Sequence, residues 1–176
     1  MSTLPLPPIT PLLTAQLLGI TTSLFLSGTY FASPALFIPL LLPQPSKLST
    51  SLFADLFHRG ALFIAPLSLV STLSFGTAAF LCPTGGLKDV DVDVLRQRVC
   101  GVAALCAIAP LGYTYVVMKG GIDRLVAMAG EKGTKEEGNG RDEEVKVLLQ
   151  RWARQTYVRA ALSGAGGLVG LWGLVL

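Results

Sequence analysis

A small group of ionisable and hydroxylated side chains contains the residues of this sequence that are best suited to take part in a reaction. The group comprises His58, Arg59, Arg159, Tyr30 and Tyr113. A histidine can carry a proton near neutral pH, and an arginine can hold a negative charge. Ionisable groups inside a membrane usually face a bundle interior or a water-filled cavity. If helices bring these residues to one level, they form the polar mouth of an otherwise apolar pocket.

Each charged member of the group also has an ordinary structural explanation. Arg59 and Arg159 could extend their charged ends to lipid headgroups, and His58 could pair with Asp55 one turn earlier. The two explanations predict different placements, because only a pocket requires the side chains to point inward.

The elements that must position these residues are membrane helices. The chain has 176 residues, of which 51% are hydrophobic and 14% charged, and its mean hydropathy is +0.59. An ordinary soluble domain has about 25% charged residues. The windows without Asp, Glu, Lys or Arg are residues 1–46, 60–87, 99–118 and 160–176. Because about 20 apolar residues cross a bilayer as a helix, each window can supply one crossing.

The sequence therefore predicts an all-α integral membrane four-helix bundle that forms a single domain over residues 1–176. The predicted spans are residues 12–37, 59–82, 98–118 and 155–176, with the first span bounded by prolines at both ends. A glycine-rich and charged segment, residues 130–141, is predicted to be a flexible cytoplasmic loop between helices three and four. Asp142 is the expected N-cap of a helix that continues into the fourth span.

The distribution of basic residues predicts the orientation in the membrane. Lys88, Arg96 and Arg98 lie between spans two and three, and the other Lys and Arg residues lie on the opposite side. By the positive-inside rule both termini are luminal, and the expected location is the endoplasmic reticulum or another internal membrane. The basic residues flank membrane segments, so nothing favours a nucleic-acid partner; the expected surroundings are the lipid bilayer.

Small and hydroxylated residues predict where the helices pack. Gly166 and Gly170 form a GxxxG pair, which marks a packed face and a possible homodimer contact. One stripe on the first helix forms either a polar seam between helices or the lining of a pocket. It consists of Ser23, Ser27, Tyr30 and Pro34.

The cysteines and the single histidine limit the other chemistry that this chain can perform. Cys82 and Cys100 fall on the predicted luminal side, where a disulfide is permitted. Cys106 lies in the middle of the third span and is expected to be an apolar filler. One histidine cannot form a multi-histidine metal site, so no metal ligand is assigned.

Four stretches together carry a resemblance to a known family. They are SGTYFASPAL (27–36), FHRGALFIAPLSLVSTLSF (57–75), IAPLGYTYVVM (108–118) and RWARQTYVRAALSGAGGLVGLW (151–172). With these stretches the chain resembles the small four-helix membrane proteins that include the fungal anthrone oxygenases. It departs from the family pattern at Lys119 to Ile122, in place of a Pro-Thr-Asn-like turn, and at Thr156, in place of an asparagine.

The resemblance implies a monooxygenase that oxidises an anthrone to an anthraquinone with dioxygen, in the biosynthesis of aromatic polyketides, a class of secondary metabolites. Loss of a proton from the central CH2 group gives an electron-rich anthrolate that can itself reduce dioxygen. The resemblance therefore implies dioxygen as co-substrate and no bound cofactor.

For this chemistry the hypothesis assigns a role to each candidate residue. His58 is the general base, and Arg159, with Arg59, stabilises the anthrolate oxygen. The substrate-binding residues of the hypothesis are Tyr30, Phe57, Tyr113 and Thr156, where Tyr30 or Thr156 orients a phenol hydroxyl and the other two grip a planar ligand.

A non-catalytic role is the alternative. A membrane scaffold, or a carrier of lipophilic intermediates, would need the same four helices and an apolar pocket but no base. Oxygen uptake by membranes supplied with an anthrone distinguishes the two functions.

Overall fold

A computed structural model of the chain describes residues 10–82, 90–130 and 139–176. The regular elements of these residues are helical. They are α1 (Pro11–Leu41), α2 (Ser46–Leu81), α3 (Val90–Tyr113), α4 (Lys119–Gly130) and α5 (Asn139–Val175). A π-helical segment, Thr114–Met118, connects α3 to α4 without a break, so α3, the π-helical segment and α4 form one continuous rod.

Four helical segments are long and apolar enough to cross a membrane. They are Pro11–Leu41, Ser46–Leu81, Val92–Gly130 and Gly140–Val175. The predicted all-α membrane bundle is confirmed, and the protein is a multi-pass membrane protein. The segments exceed the length of about 20 residues that a bilayer requires, so they also build structure beyond the apolar layer.

The prolines of α1 do not end the helix where the sequence predicts. The predicted span stops at residue 37, but α1 continues through Pro34 and Pro39 to Leu41. Each proline removes only one backbone donor, and neighbouring helices and hydroxyl side chains compensate for that loss inside a membrane bundle. Pro34 is itself buried, so packing holds the helix together at that position.

The other helices also begin earlier than predicted. α2 begins at Ser46, and α5 begins at Asn139. Asp142 therefore lies in the first turn of α5 instead of capping it, where its charge still complements the helix dipole. Of the predicted flexible loop, residues 131–138 lie outside the described residues, whereas the last residues of that range belong to α5.

The helical turns outside the predicted spans contact one another in an apolar cluster. The cluster lies at the end of the bundle that holds the last turn of α1, the first turns of α2, α4 and the first turns of α5. We call this end of the bundle the turn end. The buried members of this turn-end cluster are Ile38, Leu41, Phe53, Met118, Ile122, Leu125, Met128, Val145, Leu149 and Trp152. An exposed ion pair between Arg124 Nε and Glu144 Oε1, 3.1 Å apart, joins α4 to α5 above it. The cluster closes one end of the bundle.

Within the membrane the helices form a ring in the order α1, α2, α3, α5. Serine hydroxyls hold the ring together by donating to carbonyl oxygens of neighbouring helices. Ser23 Oγ donates to Ser163 O at 2.7 Å and Ser27 Oγ to Ala160 O at 2.8 Å, so these serines form the predicted polar seam between α1 and α5. Ser68 Oγ donates to Ala107 O at 2.9 Å, which joins α2 to α3.

The GxxxG pair is used inside the monomer. Gly166 and Gly170 are buried, and a Cβ atom at Gly166 would lie 3.1 Å from Cys106 Cβ. A Cβ atom at Gly170 would overlap the ring of Phe75. The motif was correctly interpreted as a packed face, but that face meets α1, α2 and α3 of the same chain. The two glycines are therefore covered by the chain's own helices, and a homodimer stays a prediction.

Cys82 and Cys100 are buried neighbours at the opposite end of the bundle. Both are free thiols, and they lie close enough to interact with each other. Gln16 Nε2 also donates to Cys100 Sγ at 3.6 Å. The fold thus brings together the two cysteines for which the sequence permits a disulfide.

Candidate functional site

A cavity of about 130 Å³ lies inside the ring of membrane helices, next to the turn-end cluster. All four membrane segments contribute to its wall. The residues that matter for its chemistry are Tyr30, Phe57, Thr114, Trp152, Thr156 and Arg159. Most of the remaining wall is apolar, so a charge or a hydrogen bond inside the cavity is screened little by water.

Arg159 supplies the positive charge of this cavity. It is only 7% exposed, and its guanidinium carbon lies 4.1 Å from the centre of the Tyr30 ring. Among the described residues, no carboxylate forms an ion pair with Arg159, and its Nε has no hydrogen-bond partner. The ring face compensates part of the charge, but a buried cation without an anion is costly. An anionic oxygen in the cavity would complete the site.

Two further donors in the wall lack partners. Tyr30 is 1% exposed and Trp152 is 8% exposed, and neither the Tyr30 hydroxyl nor Trp152 Nε1 forms a hydrogen bond with any described residue. Buried polar groups are nearly always paired in folded proteins. Together with Arg159, these groups match a ligand that carries acceptor oxygens.

Other hydroxyls around the cavity already have acceptors in the backbone. Thr156 Oγ1 donates to Trp152 O at 2.8 Å, and Thr114 Oγ1 donates to Pro110 O at 2.7 Å. A hydroxyl that donates in this way retains lone pairs. Thr156, which is fully buried, therefore keeps the capacity to accept a hydrogen bond from a phenol.

Aromatic rings form one side of the wall. Phe53 packs edge-on against Trp152, with ring centroids 5.3 Å apart, and stacks with Phe57 at 6.3 Å. Phe57 and Trp152 both face the cavity. Rings held in this way give a planar aromatic ligand a fixed surface on which to pack.

The structure does not bring the predicted base to this cavity. His58 and Arg59 are both exposed, and His58 Nδ1 donates to Ala54 O of its own helix at 2.8 Å. The pairing with Asp55 is not formed either. With 3.6 residues per turn, successive side chains point about 100° apart, so Phe57 occupies the cavity face and the next two residues point away. The expected convergence of His58 and Arg59 with Arg159 is not found.

Tyr113 is also outside the wall. It is partly buried and packs against the turn-end cluster, while its neighbour Thr114 faces the cavity. Thr114 begins the π-helical segment, whose extra residue per turn changes the direction of the side chains. Of the predicted residues, the fold thus unites Tyr30, Phe57, Thr156 and Arg159.

Sequence reasoning missed Trp152 and Thr114. Trp152, Thr156 and Arg159 follow each other at i, i+4 and i+7 on one helix face. That spacing was the available signal. For Thr114, Pro110 four residues earlier marks a place where the regular hydrogen-bond ladder is interrupted.

Titratable groups are scarce in the cavity wall. Of the described residues, Arg159 and Tyr30 are the two that line it and carry an ionisable side chain. The described residues also contain no group of three His, Cys, Asp or Glu side chains placed to hold a metal ion. The chemistry that these side chains support directly is the binding and stabilisation of an oxyanion against an aromatic wall.

Comparison with known proteins shows the family to which the chain belongs. An anthrone oxygenase from Claviceps purpurea (strain 20.1) is 27% identical over 165 residues, which cover 90% of this chain and 87% of that protein. No solved structure matches the chain significantly. The family model described as Anthrone oxygenase matches residues 53–169, a stretch that includes Phe57, Trp152, Thr156 and Arg159. The chain belongs to the anthrone oxygenase family.

Proposed function

We propose that this protein oxidises an anthrone to an anthraquinone with dioxygen, in the biosynthesis of an aromatic polyketide. The name of the Claviceps relative supports the substrate class, and the aromatic wall next to a buried cation supports the binding mode. The observation that carries the proposal is the buried guanidinium of Arg159, which has no carboxylate partner among the described residues.

The first step is the formation of the anthrolate. The anthrone carbonyl oxygen accepts hydrogen bonds from Arg159 and from the unpaired hydroxyl of Tyr30. When the central CH2 group loses a proton, the negative charge spreads to that oxygen, where a cation in an apolar cavity stabilises it more strongly than water-screened charges would. Arg159 thereby favours ionisation of the bound ketone.

The proton acceptor is a water molecule in this mechanism. His58, the base expected from the sequence, points away from the cavity, and neither a histidine nor a carboxylate of the described residues lines the wall. Because Arg159 makes the anion more stable, a weak base is sufficient.

The oxygen step needs no further reductant. The anthrolate transfers one electron to dioxygen, and the resulting radical pair combines at the central carbon to form a C–O bond and a peroxide. Loss of the second hydrogen from that carbon, with cleavage of the O–O bond, gives the quinone carbonyl and hydroxide, which is protonated to water. One anthrone and one dioxygen thus yield one anthraquinone and one water. Arg159 holds the successive anionic oxygens.

Replacement of Arg159 by methionine tests this function. Methionine removes the charge and keeps an unbranched apolar side chain at this buried position. We expect anthraquinone formation in membranes supplied with an anthrone to fall by about 10² to 10³-fold. Arg154→Met, at an exposed position of the same helix, is the matched control and keeps its activity. Equal turnover by Arg159→Met and the unchanged protein, corrected for spontaneous oxidation, would refute the proposal.

A carrier of lipophilic intermediates is the second candidate, favoured by the lack of a histidine or carboxylate in the described wall. A carrier would bind anthrone and anthraquinone without excess oxygen uptake. Measuring ligand binding and oxygen uptake on the same membranes separates the two functions.

The proposed orientation places the turn end in the cytosol and both termini in the lumen of an internal membrane. The positive-inside rule supports it, since Lys47, Arg59, Arg124 and Lys146 all lie toward the turn end. Protease protection of a tag at Leu176 in sealed microsomes tests this orientation.

A further inference from the structure

The cavity is too small to enclose a three-ring ligand. Its volume is about 130 Å³, and an apolar cavity of about 150 Å³ holds a molecule of the size of benzene. A fused tricyclic ketone whose carbonyl oxygen reaches Arg159 must therefore extend out of the cavity with part of its plane.

The wall has an opening at Ala61 on α2. Ala61 lies on the same helix face as Phe57 and Ile64, four residues before and three residues after it. All three residues line the cavity, but Phe57 and Ile64 are partly buried, whereas Ala61 is exposed. Its exposure therefore shows a gap between neighbouring helices at that level, not a side of α2 that faces outward.

Gly60 extends the same gap. It also lines the cavity, and a Cβ atom placed on it would meet only Ile64 Cδ1, at 3.9 Å. The small residues at positions 60 and 61 thus leave space where larger side chains would narrow the opening.

The gap faces the apolar layer of the membrane. Arg59 is the last charged residue before the apolar part of α2, and no charge follows until Lys88. The outer neighbours of the gap, Leu62 and Phe63, are exposed apolar side chains. An opening at this depth is accessible to lipid-dissolved molecules just inside the headgroups.

We propose that Gly60 and Ala61 form a lateral mouth through which a planar fused-ring ketone enters from the bilayer, and that one outer ring stays in this mouth while the carbonyl oxygen of the central ring meets Arg159. This inference rests on the proposed function for its ligand. It makes Gly60 and Ala61 the residues that determine how many fused rings the site accepts.

Trp152 provides a readout of binding that does not depend on turnover. The chain has two tryptophans, and Trp172 is exposed. In a Trp172→Phe background reconstituted in lipid nanodiscs, the fluorescence of Trp152 reports on a ligand in the cavity. The probes are 9,10-anthraquinone, which has three rings, and acetophenone, which has one.

The test compares Ala61→Leu with Gly76→Leu, a change at an exposed glycine on the same helix that has open space around it. We expect Ala61→Leu to weaken quenching by anthraquinone at least tenfold and to leave quenching by acetophenone within twofold, while Gly76→Leu changes neither. Retained acetophenone binding shows that the variant is folded and that the inner cavity is intact.

Two results overturn the inference: unchanged anthraquinone quenching in Ala61→Leu, or an equal loss of both ligands. Failure of the proposed function is distinguishable, because anthraquinone binding that depends on residue 61 without any oxygen uptake contradicts the oxygenase and leaves the mouth in place.

Discussion

The guanidinium of Arg159 lies over the ring of Tyr30, 4.1 Å from its centre, and joins α5 to α1 inside an apolar cavity. The ring face attracts the cation without neutralising it, so Arg159 stays available to an oxyanion. The Tyr30 hydroxyl, which has no partner among the described residues, lies at the same cavity. The pair therefore serves as an anchor for the helices and as a receptor for negative oxygen.

The two functions of Tyr30 can be separated by substitution. Tyr30→Phe keeps the ring under Arg159 and removes only the hydroxyl, which costs about 0.5–1.5 kcal/mol of ligand binding if that hydroxyl donates to the substrate. We expect a rise in KM for anthrone of about two- to tenfold, with the melting temperature of the solubilised protein unchanged. Tyr30→Leu removes the ring as well, and its melting temperature falls. If Tyr30→Phe leaves KM unchanged, its hydroxyl does not contact the substrate.

His58 gives the sharpest contrast between the sequence and the structure. If His58 is the general base, His58→Ala lowers the rate by about 10² to 10⁴-fold. Because His58 is exposed and its Nδ1 bonds to Ala54 O, we expect anthrone turnover within twofold of the unchanged protein. A loss of a hundredfold or more in oxygen uptake would restore His58 to the mechanism.

Gly170 is predicted to be essential for packing. A side chain there overlaps Phe75, and overpacking of a tight interior costs about 1–3 kcal/mol. We expect Gly170→Val to lower the melting temperature and the yield of monodisperse protein. Gly112→Val, at an exposed position with open space, is the control. Equal stability of the two variants in a thermal unfolding assay would contradict the packing of α5 against α2.

The thiols of Cys82 and Cys100 are predicted to form a disulfide when an oxidant is added, because the fold places them close to each other. After oxidation and denaturation, a maleimide mass tag is expected to label Cys106 alone. Labelling of all three cysteines, or cross-linking in Cys82→Ser, would show that the ends of α2 and α3 are not adjacent.

The architecture was predictable because the bilayer restricts the choices. Windows without charge had to be helices, and the hydrophobic length of the membrane set their minimum extent. The ends were less predictable, since the turn-end cluster extends the helices beyond the apolar layer. Leu125 and Leu149 contribute to it from α4 and α5, and it stabilises turns that no hydropathy window includes.

The candidate site was only partly predictable, because helical phase decides which side chains face inward. Arg159 and Tyr30 were identified, and the fold brings them into contact. His58 differs from Phe57 by one position, and that rotation of about 100° turns it away from the cavity. The sequence defines the spacing of side chains along each helix but not the rotation of that helix about its own axis. That rotation depends on contacts with the other three membrane helices.

The serine hydrogen bonds of α2 have a mechanical consequence. Ser68 and Ser71 tie α2 to α3 and α1 on one side of the cavity, and Ser49 ties it to Leu41 O on the other. Between Ser49 and Ser68, no side-chain hydrogen bond in the described part of the chain joins α2 to another helix. Beside the cavity α2 is therefore held by side-chain packing alone, as by Phe53 against Trp152, so a larger residue at Gly60 can widen the bundle without breaking a hydrogen bond between helices.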